Sequence, residues 1–259
     1  MFSSVVVMGC GYTGRRVAAR LASRGFRVIA TSRHGDNVHF DTSAPPFDMS
    51  FVPEGARVLY SIPTLEAADP SAAVFAALAE RHITRLVYLS TTGVYGAQLD
   101  VNEQSTPAPR RPADAVRIHA EHAALSGPWS AVVLRPAAIY GPGRGIHVSM
   151  REGRYRMGGD GTNFVSRIHV EDLAAHCDAA LFSDLEGAWP VADEEPCTTW
   201  EIADYCAKLF RIPMPPSVDT AVLHHTRQAN RRVDGSAVRR ELGITLRYPS
   251  YRTGIPASA

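Results

Sequence analysis

The stretch Val5-Val6-Val7-Met8-Gly9-Cys10-Gly11-Tyr12-Thr13-Gly14 constrains this chain more than any other. Four apolar residues run into a GxGxxG pattern, and an amphipathic run from Arg15 to Arg24 follows. A buried strand, a glycine turn and a helix are the parts of a dinucleotide-binding βα unit. Gly9 permits the tight turn. Gly11 lets a pyrophosphate approach the backbone, and Gly14 lets the helix pack closely on the strand. Tyr12 and Thr13 fall at the helix N-terminus, where free N–H groups and the positive dipole end favour phosphates. A merely structural glycine turn is the alternative reading.

The pattern continues as alternating strands and helices. Phe26 to Thr31 reads as a second strand, and Ser32-Arg33 follows it directly. An acidic residue at that place would bind the ribose 2′-OH of NAD. A hydroxyl and an arginine stand there instead, which suits the 2′-phosphate of NADP. A solvated loop arginine is the alternative. Val38 to Asp41 reads as a short third strand ending in an acid, Arg57 to Ile62 as a fourth and Arg85 to Ser90 as a fifth. Ser130 to Leu134, stopped at Pro136, reads as a sixth, and Ala188 to Val191 as the last. Between them lie helices over Ser71 to Arg81, Ala113 to Ser126 and Val170 to Phe182. Thr198 to Phe210 and Ser236 to Leu242 read as later helices, the second closed by Gly243. This alternation predicts an α/β fold with a doubly wound parallel sheet. After Gly141-Pro142-Gly143 the periodicity weakens, which predicts a smaller capping region. The expected division puts 1–140 and 164–192 in the sheet domain, and 141–163 and 193–259 in a substrate-binding cap.

Composition excludes several other classes. Over 259 residues the chain is 45% hydrophobic and 20% charged, with a formal net charge of +1, so it can bury a sizeable core. No basic block calls for nucleic acid or an anionic membrane surface. No apolar run approaches the roughly 20 residues of a membrane span, and no leader pattern precedes the glycine turn. The expected location is cytoplasmic. Cys10, Cys177, Cys197 and Cys206 form no CxxC, and His119 with His122 read as a solvated helix face, so no metal site is expected.

Three further segments carry a resemblance. Leu89-Ser90-Thr91-Thr92-Gly93-Val94-Tyr95-Gly96 resembles a strand-end "SS(S/T)xVYG" segment. Leu134-Arg135-Pro136-Ala137-Ala138-Ile139-Tyr140-Gly141-Pro142-Gly143 resembles "LRPxxxYGPG", and Arg167 to Ala174 resembles "xIHVxDLA". With the glycine turn, in this order and spacing, they resemble the extended short-chain dehydrogenases/reductases, the NAD-dependent epimerase/dehydratase family. The tail from Asn230 through Gly243 is similar to that of small uncharacterised members. The resemblance implies a Rossmann sheet with a small C-terminal substrate region, a nicotinamide cofactor and hydride transfer.

The catalytic pattern is where the chain departs. The family places Tyr and Lys at YxxxK, commonly with a glutamate four residues beyond the Lys. Anchoring on Glu121 puts Arg117 at the lysine position and Ala113 at the tyrosine position, and no tyrosine occurs between Tyr95 and Tyr140. Arg117 is expected to hold ribose hydroxyls and add positive field, but being always charged it cannot shuttle a proton. Thr91 falls at the catalytic Ser/Thr position; the competing reading is a strand-end threonine satisfied by backbone. Tyr95 and Tyr140 sit in aromatic-glycine turns, where packing is the default. Cofactor contacts are expected from Gly9, Gly11, Tyr12, Thr13, Gly14, Ser32, Arg33, Asp41, Ser61, Ile62, Arg117 and Pro136. The expected function is an NADP-dependent oxidoreductase or epimerase/dehydratase-like protein acting on a small polar substrate such as a sugar nucleotide. NAD is the second choice of cofactor, a homodimer the candidate assembly, and a catalytically silent NADP(H) sensor the alternative.

Overall fold

The computed structural model describes residues 4–35, 37–63, 69–224 and 227–259. Its centre is a seven-stranded sheet of β1 (Ser4–Met8), β2 (Arg27–Ser32), β3 (Val38–His39), β4 (Arg57–Tyr60), β5 (Arg85–Leu89), β6 (Ser130–Pro136) and β7 (Gly187–Val191). The spatial order is β7-β6-β5-β4-β1-β2-β3, and every pairing is parallel. Strand order reverses between β1 and β4. That crevice is where ligands of such sheets bind, outside the carboxyl ends of the strands.

The unbroken apolar run of β1 is explained by burial on both faces. Val5 and Val7 point into one core with Val17 and Leu21 of helix α1 (Gly14–Ser23) and Leu173 and Cys177 of α5 (Val170–Leu181). Val6 and Met8 point into the other, with Val74 and Leu78 of α2 (Ser71–Ala79) and Ala120 and Ala124 of α3 (Pro112–Leu125). The predicted alternation is thus observed, with boundaries that differ by a residue or two.

The later chain is built from short pieces. Helix α4 (Ile146–Arg151), which the sequence pattern did not reveal, packs with α6 (Thr199–Phe210) around Tyr140, Met150, Ile202 and Tyr251. Helix α6 starts on a full capping box between Thr198 and Glu201. Two-residue ladders tie the remainder together: Arg232–Val233 runs parallel to Asp100–Val101, and Ser217–Val218 parallel to Met157–Gly158. Helix α7 (Ser236–Leu242) ends on left-handed Gly243, as expected. Among the described residues no helix is long and apolar enough to cross a membrane, and no cluster of His, Cys, Asp or Glu could hold a metal.

Candidate active site

The glycine turn lies at the switch point and is shaped by what a side chain there would strike. Gly9 has φ +95°, and a Cβ on it would lie 2.9 Å from Ile62. A Cβ on Gly14 would come within 2.2 Å of the Gly9 carbonyl oxygen, so the helix sits directly on the turn. A Cβ on Gly11 would meet nothing within 4 Å. Space is therefore left open at the one glycine expected to face a phosphate. The turn is braced from both neighbouring strands: Cys10 N–H donates to Thr31 O at 2.7 Å, and Ser61 Oγ donates to Gly9 O at 2.8 Å. Thr13 is buried and supplies no side-chain cap to α1, as is also the case at α2, α3 and α4, whereas α5 and α6 are capped by His169 and Thr198. An uncapped helix start over open space fits an anion.

Of the other predicted cofactor residues, Ser61 and Ile62 lie against this turn, and Ser32, Asp41 and Pro136 lie at or just beyond other strand ends. Ser61 and Ile62 form the wall at the end of β4, and Ser61 uses its hydroxyl on the turn itself. Ser32 ends β2 and is bonded to the His34 carbonyl, and Arg33 is exposed beside it. Asp41 accepts from both the N–H and the hydroxyl of Ser43, which lowers its carboxyl below the usual range. Pro136 is buried at the end of β6, in register with Val191 of β7. The Tyr12 hydroxyl donates to Pro142 O at 3.1 Å.

The two residues expected to be catalytic, Thr91 and Arg117, both lie beside β5. Thr91 follows β5, and its Oγ1 accepts from the Gly93 N–H at 3.1 Å, capping a 3-10 turn over Thr92–Tyr95. Ala113 lies in the first turn of α3. Arg117, one turn on, donates through Nη1 to the Tyr88 hydroxyl at 3.3 Å. Burial pushes that phenol up to about 12, against the pull of Arg117. Tyr95 and Tyr140 are both buried, and burial raises both phenols. Tyr95 is engaged by Arg135 at 3.0 Å, and Tyr140 donates to Ser250 O at 3.2 Å. Their placement matches the packing role read for them.

Three features went unread in the sequence. Asp114, next to Ala113, is buried and gripped by both arms of the Arg111 guanidinium. Its Oδ1 lies 3.3 Å, and Thr91 Oγ1 3.5 Å, from the place a Cβ on Gly93 would occupy. Glycine at 93 makes room for both oxygens. Arg231 is buried and donates to the carbonyls of Thr92, Gly96 and Gln98, so the C-terminal segment holds the loop that begins at Thr91. Its only sequence signal was the Asn230-Arg231-Arg232 tail. Asp172, in the first turn of α5, also accepts from the N–H groups of Arg247 and Tyr248 and fastens that same tail.

A model of the NAD-dependent epimerase/dehydratase family matches residues 65–188. A functionally unknown conserved protein from Silicibacter pomeroyi DSS is 32% identical, with a TM-score of 0.85 over 98% of this chain and 97% of that one. The UDP-glucuronic acid 4-epimerase of Bacillus cereus, solved with UDP-glucuronic acid and NAD, shares the fold at 17% identity. Its TM-score is 0.83 over 99% of this chain and 98% of the epimerase. A 3-diazoavenalumate denitrifying reductase of a Streptomyces species is 25% identical over 149 residues, 52% of this chain and 49% of the reductase. The match thus spans about half the length of that curated relative. With the glycine turn at the switch point, the strand-end segments at the ends of β5 and β6 and a family match across the middle of the chain, this protein belongs to the NAD-dependent epimerase/dehydratase family.

Proposed function

We propose that the protein is a nicotinamide-dinucleotide-dependent oxidoreductase or epimerase/dehydratase-like enzyme acting on a small polar substrate. The observation that carries this reading is the cradle at Gly9, Gly11 and Gly14: closed to side chains at two glycines, open at the third, and roofed by an uncapped helix start. In this reading the glycine turn holds the diphosphate, with Ser61 and Ile62 as its wall. Arg117 clamps ribose hydroxyls as a fixed positive charge, and Thr91 donates to a substrate oxygen. The nicotinamide supplies the hydride donor or acceptor. Segments 141–163 and 193–259 form the cap that selects the substrate. The Bacillus cereus epimerase was solved with a nucleotide sugar, which makes that class the first to screen.

The cofactor preference is read from the end of β2. Relatives solved with NAD favour the unphosphorylated form. Here Ser32 and exposed Arg33 occupy the ribose-reading position, and we assign NADP on that charge. Gly11→Val tests the whole reading. The structure offers free space for the valine, so the variant folds and fails to bind either dinucleotide by calorimetry. Retained binding would overturn it. One observation favours a second reading, a silent NADP(H) sensor. Ala113 leaves the tyrosine position without a hydroxyl, and Tyr95 and Tyr140 are buried in other bonds. Tight NADPH binding without turnover across a broad substrate screen would establish the sensor.

A further inference from the structure

We propose that Arg144 is a ligand of the cofactor diphosphate, delivered over the glycine turn from the loop after Tyr140. This inference rests on the dinucleotide reading above and adds to it a residue outside the glycine fingerprint.

The loop is rigidly made. Gly141 and Arg144 exchange both backbone hydrogen bonds, at 2.9 and 3.0 Å, with Pro142 and Gly143 at the corner. Proline fixes the first corner residue, and Gly143 takes the second at φ +72°, the requirement of a type II turn. Arg144 therefore occupies a set place. The loop also lies directly on the fingerprint. Tyr12 donates to Pro142 O, and a Cβ on Gly141 would come within 2.8 Å of the Tyr12 hydroxyl and 2.7 Å of Val170.

Charge then singles out Arg144. The Tyr12 ring is flanked by two guanidiniums, Arg16 at 4.3 Å and Arg144 at 5.2 Å. Arg16 is committed to Glu171 and to the Tyr12 carbonyl, each at 2.7 Å. Arg15 bonds the Gly11 carbonyl at 3.2 Å. Arg144 is exposed, and among the described residues no carboxylate pairs with it. The groups acting on Tyr12 are thus three arginines and one glutamate, an excess of positive charge beside an uncapped helix start. A dinucleotide diphosphate carries two negative charges, and a guanidinium fork suits phosphate oxygens better than a point charge does.

The test is calorimetric titration of ADP-ribose, which has the diphosphate, and of adenosine, which has none. Wild type, Arg144→Ala, Arg144→Lys and Gly11→Val are compared, with circular dichroism to confirm folding. Arg144→Ala is expected to weaken ADP-ribose roughly tenfold, the scale of one charge-assisted hydrogen bond. Arg144→Lys should retain part of that affinity, and adenosine should be unchanged in both. Wild-type affinity for ADP-ribose in Arg144→Ala, while Gly11→Val fails to bind, would overturn this inference alone. An equal loss for adenosine would overturn it too. A wild-type protein that binds no ADP-ribose would overturn the dinucleotide reading and this inference with it.

Discussion

Glu121 and Arg135 form a two-pronged ion pair buried beneath the ends of β5 and β6, with Arg135 Nη2 2.6 Å from Glu121 Oε2. Ser90 donates to the same carboxylate, and Arg135 also reaches Tyr95. Every strong donor and acceptor in the cluster is used, which is the condition for a buried pair to be tolerated. Removing one partner leaves a charge in the core. Glu121→Ala should cost about 3–5 kcal/mol in urea unfolding. Replacing both, as Glu121→Leu with Arg135→Met, should recover much of that loss. Equal instability of the single and double variants would mean that shape, not charge pairing, governs the site.

Stability should depend on pH in two opposite ways. His169 is buried, with Nδ1 accepting from the Glu171 N–H and Nε2 bonded to Ser258. Burial, then the charges of Arg16, Arg247 and His147, lowers it from 6.5 to about 4. As pH falls, the unfolded chain takes the proton first, so this contribution is present above 6.5 and is lost between about 6.5 and 4. His176, lowered to about 4 by burial, acts in the same window. Asp193 runs the other way. It is buried just beyond β7, neither carboxylate oxygen has a well-aligned hydrogen bond among the described residues, and burial raises it to about 8. As pH rises, the unfolded chain releases the proton first, and stability is lost between about 4 and 8. Asp193→Asn should therefore raise the melting temperature at pH 8, by the equivalent of roughly 1–3 kcal/mol, with the gain shrinking toward pH 4. A gain that is constant with pH would show that Asp193 is not titrating in this range.

The sheet was legible because its signals are local and repeated. Val5 to Met8 are apolar on both faces, glycines mark the turn, and prolines stop strands, so order and direction follow from periodicity. The glycine turn was legible for the same reason: Gly9 and Gly14 answer steric demands within six residues, and Gly11 between them leaves open space. Helix α4 was not, since six residues between glycine-rich turns hold no periodic stripe. Buried polar contacts over long separations were not either. Arg231 serves carbonyls more than 130 residues away, and Arg85, charged yet buried at the start of β5, bonds the Ala180 carbonyl. Composition treats both as surface residues.

In the proposed NADP reading, cofactor choice turns on Arg33. A guanidinium on a 2′-phosphate makes a charge-assisted contact, whereas on a ribose hydroxyl it makes an ordinary one. Arg33→Ala should weaken NADP binding roughly tenfold and leave NAD nearly unchanged. Fluorescence titration with NADPH and NADH reads both. Equal losses would show that Arg33 does not read the 2′-phosphate, and Ser32→Asp should then have little power to invert preference.

Thr91 can be both a cap and a hydrogen-bond donor to substrate, and the two roles separate by substitution. Its Oγ1 spends a lone pair on the Gly93 N–H, which leaves the hydroxyl proton free to point elsewhere. Asp114 Oδ1 approaches the same small space beside Gly93, so the proton has a polar neighbourhood even without a ligand. Thr91→Val removes both functions and should cost about 1 kcal/mol of stability through the lost cap. Thr91→Ser restores the oxygen and should restore that stability. If the hydroxyl also donates to substrate, turnover in Thr91→Val should fall 10- to 100-fold or more, as expected for a donor acting in the transition state, with dinucleotide affinity unchanged. Thr91→Ser should then recover most of it. A folded Thr91→Val protein with full turnover would leave Thr91 a cap and move the search for the proton donor to the substrate itself.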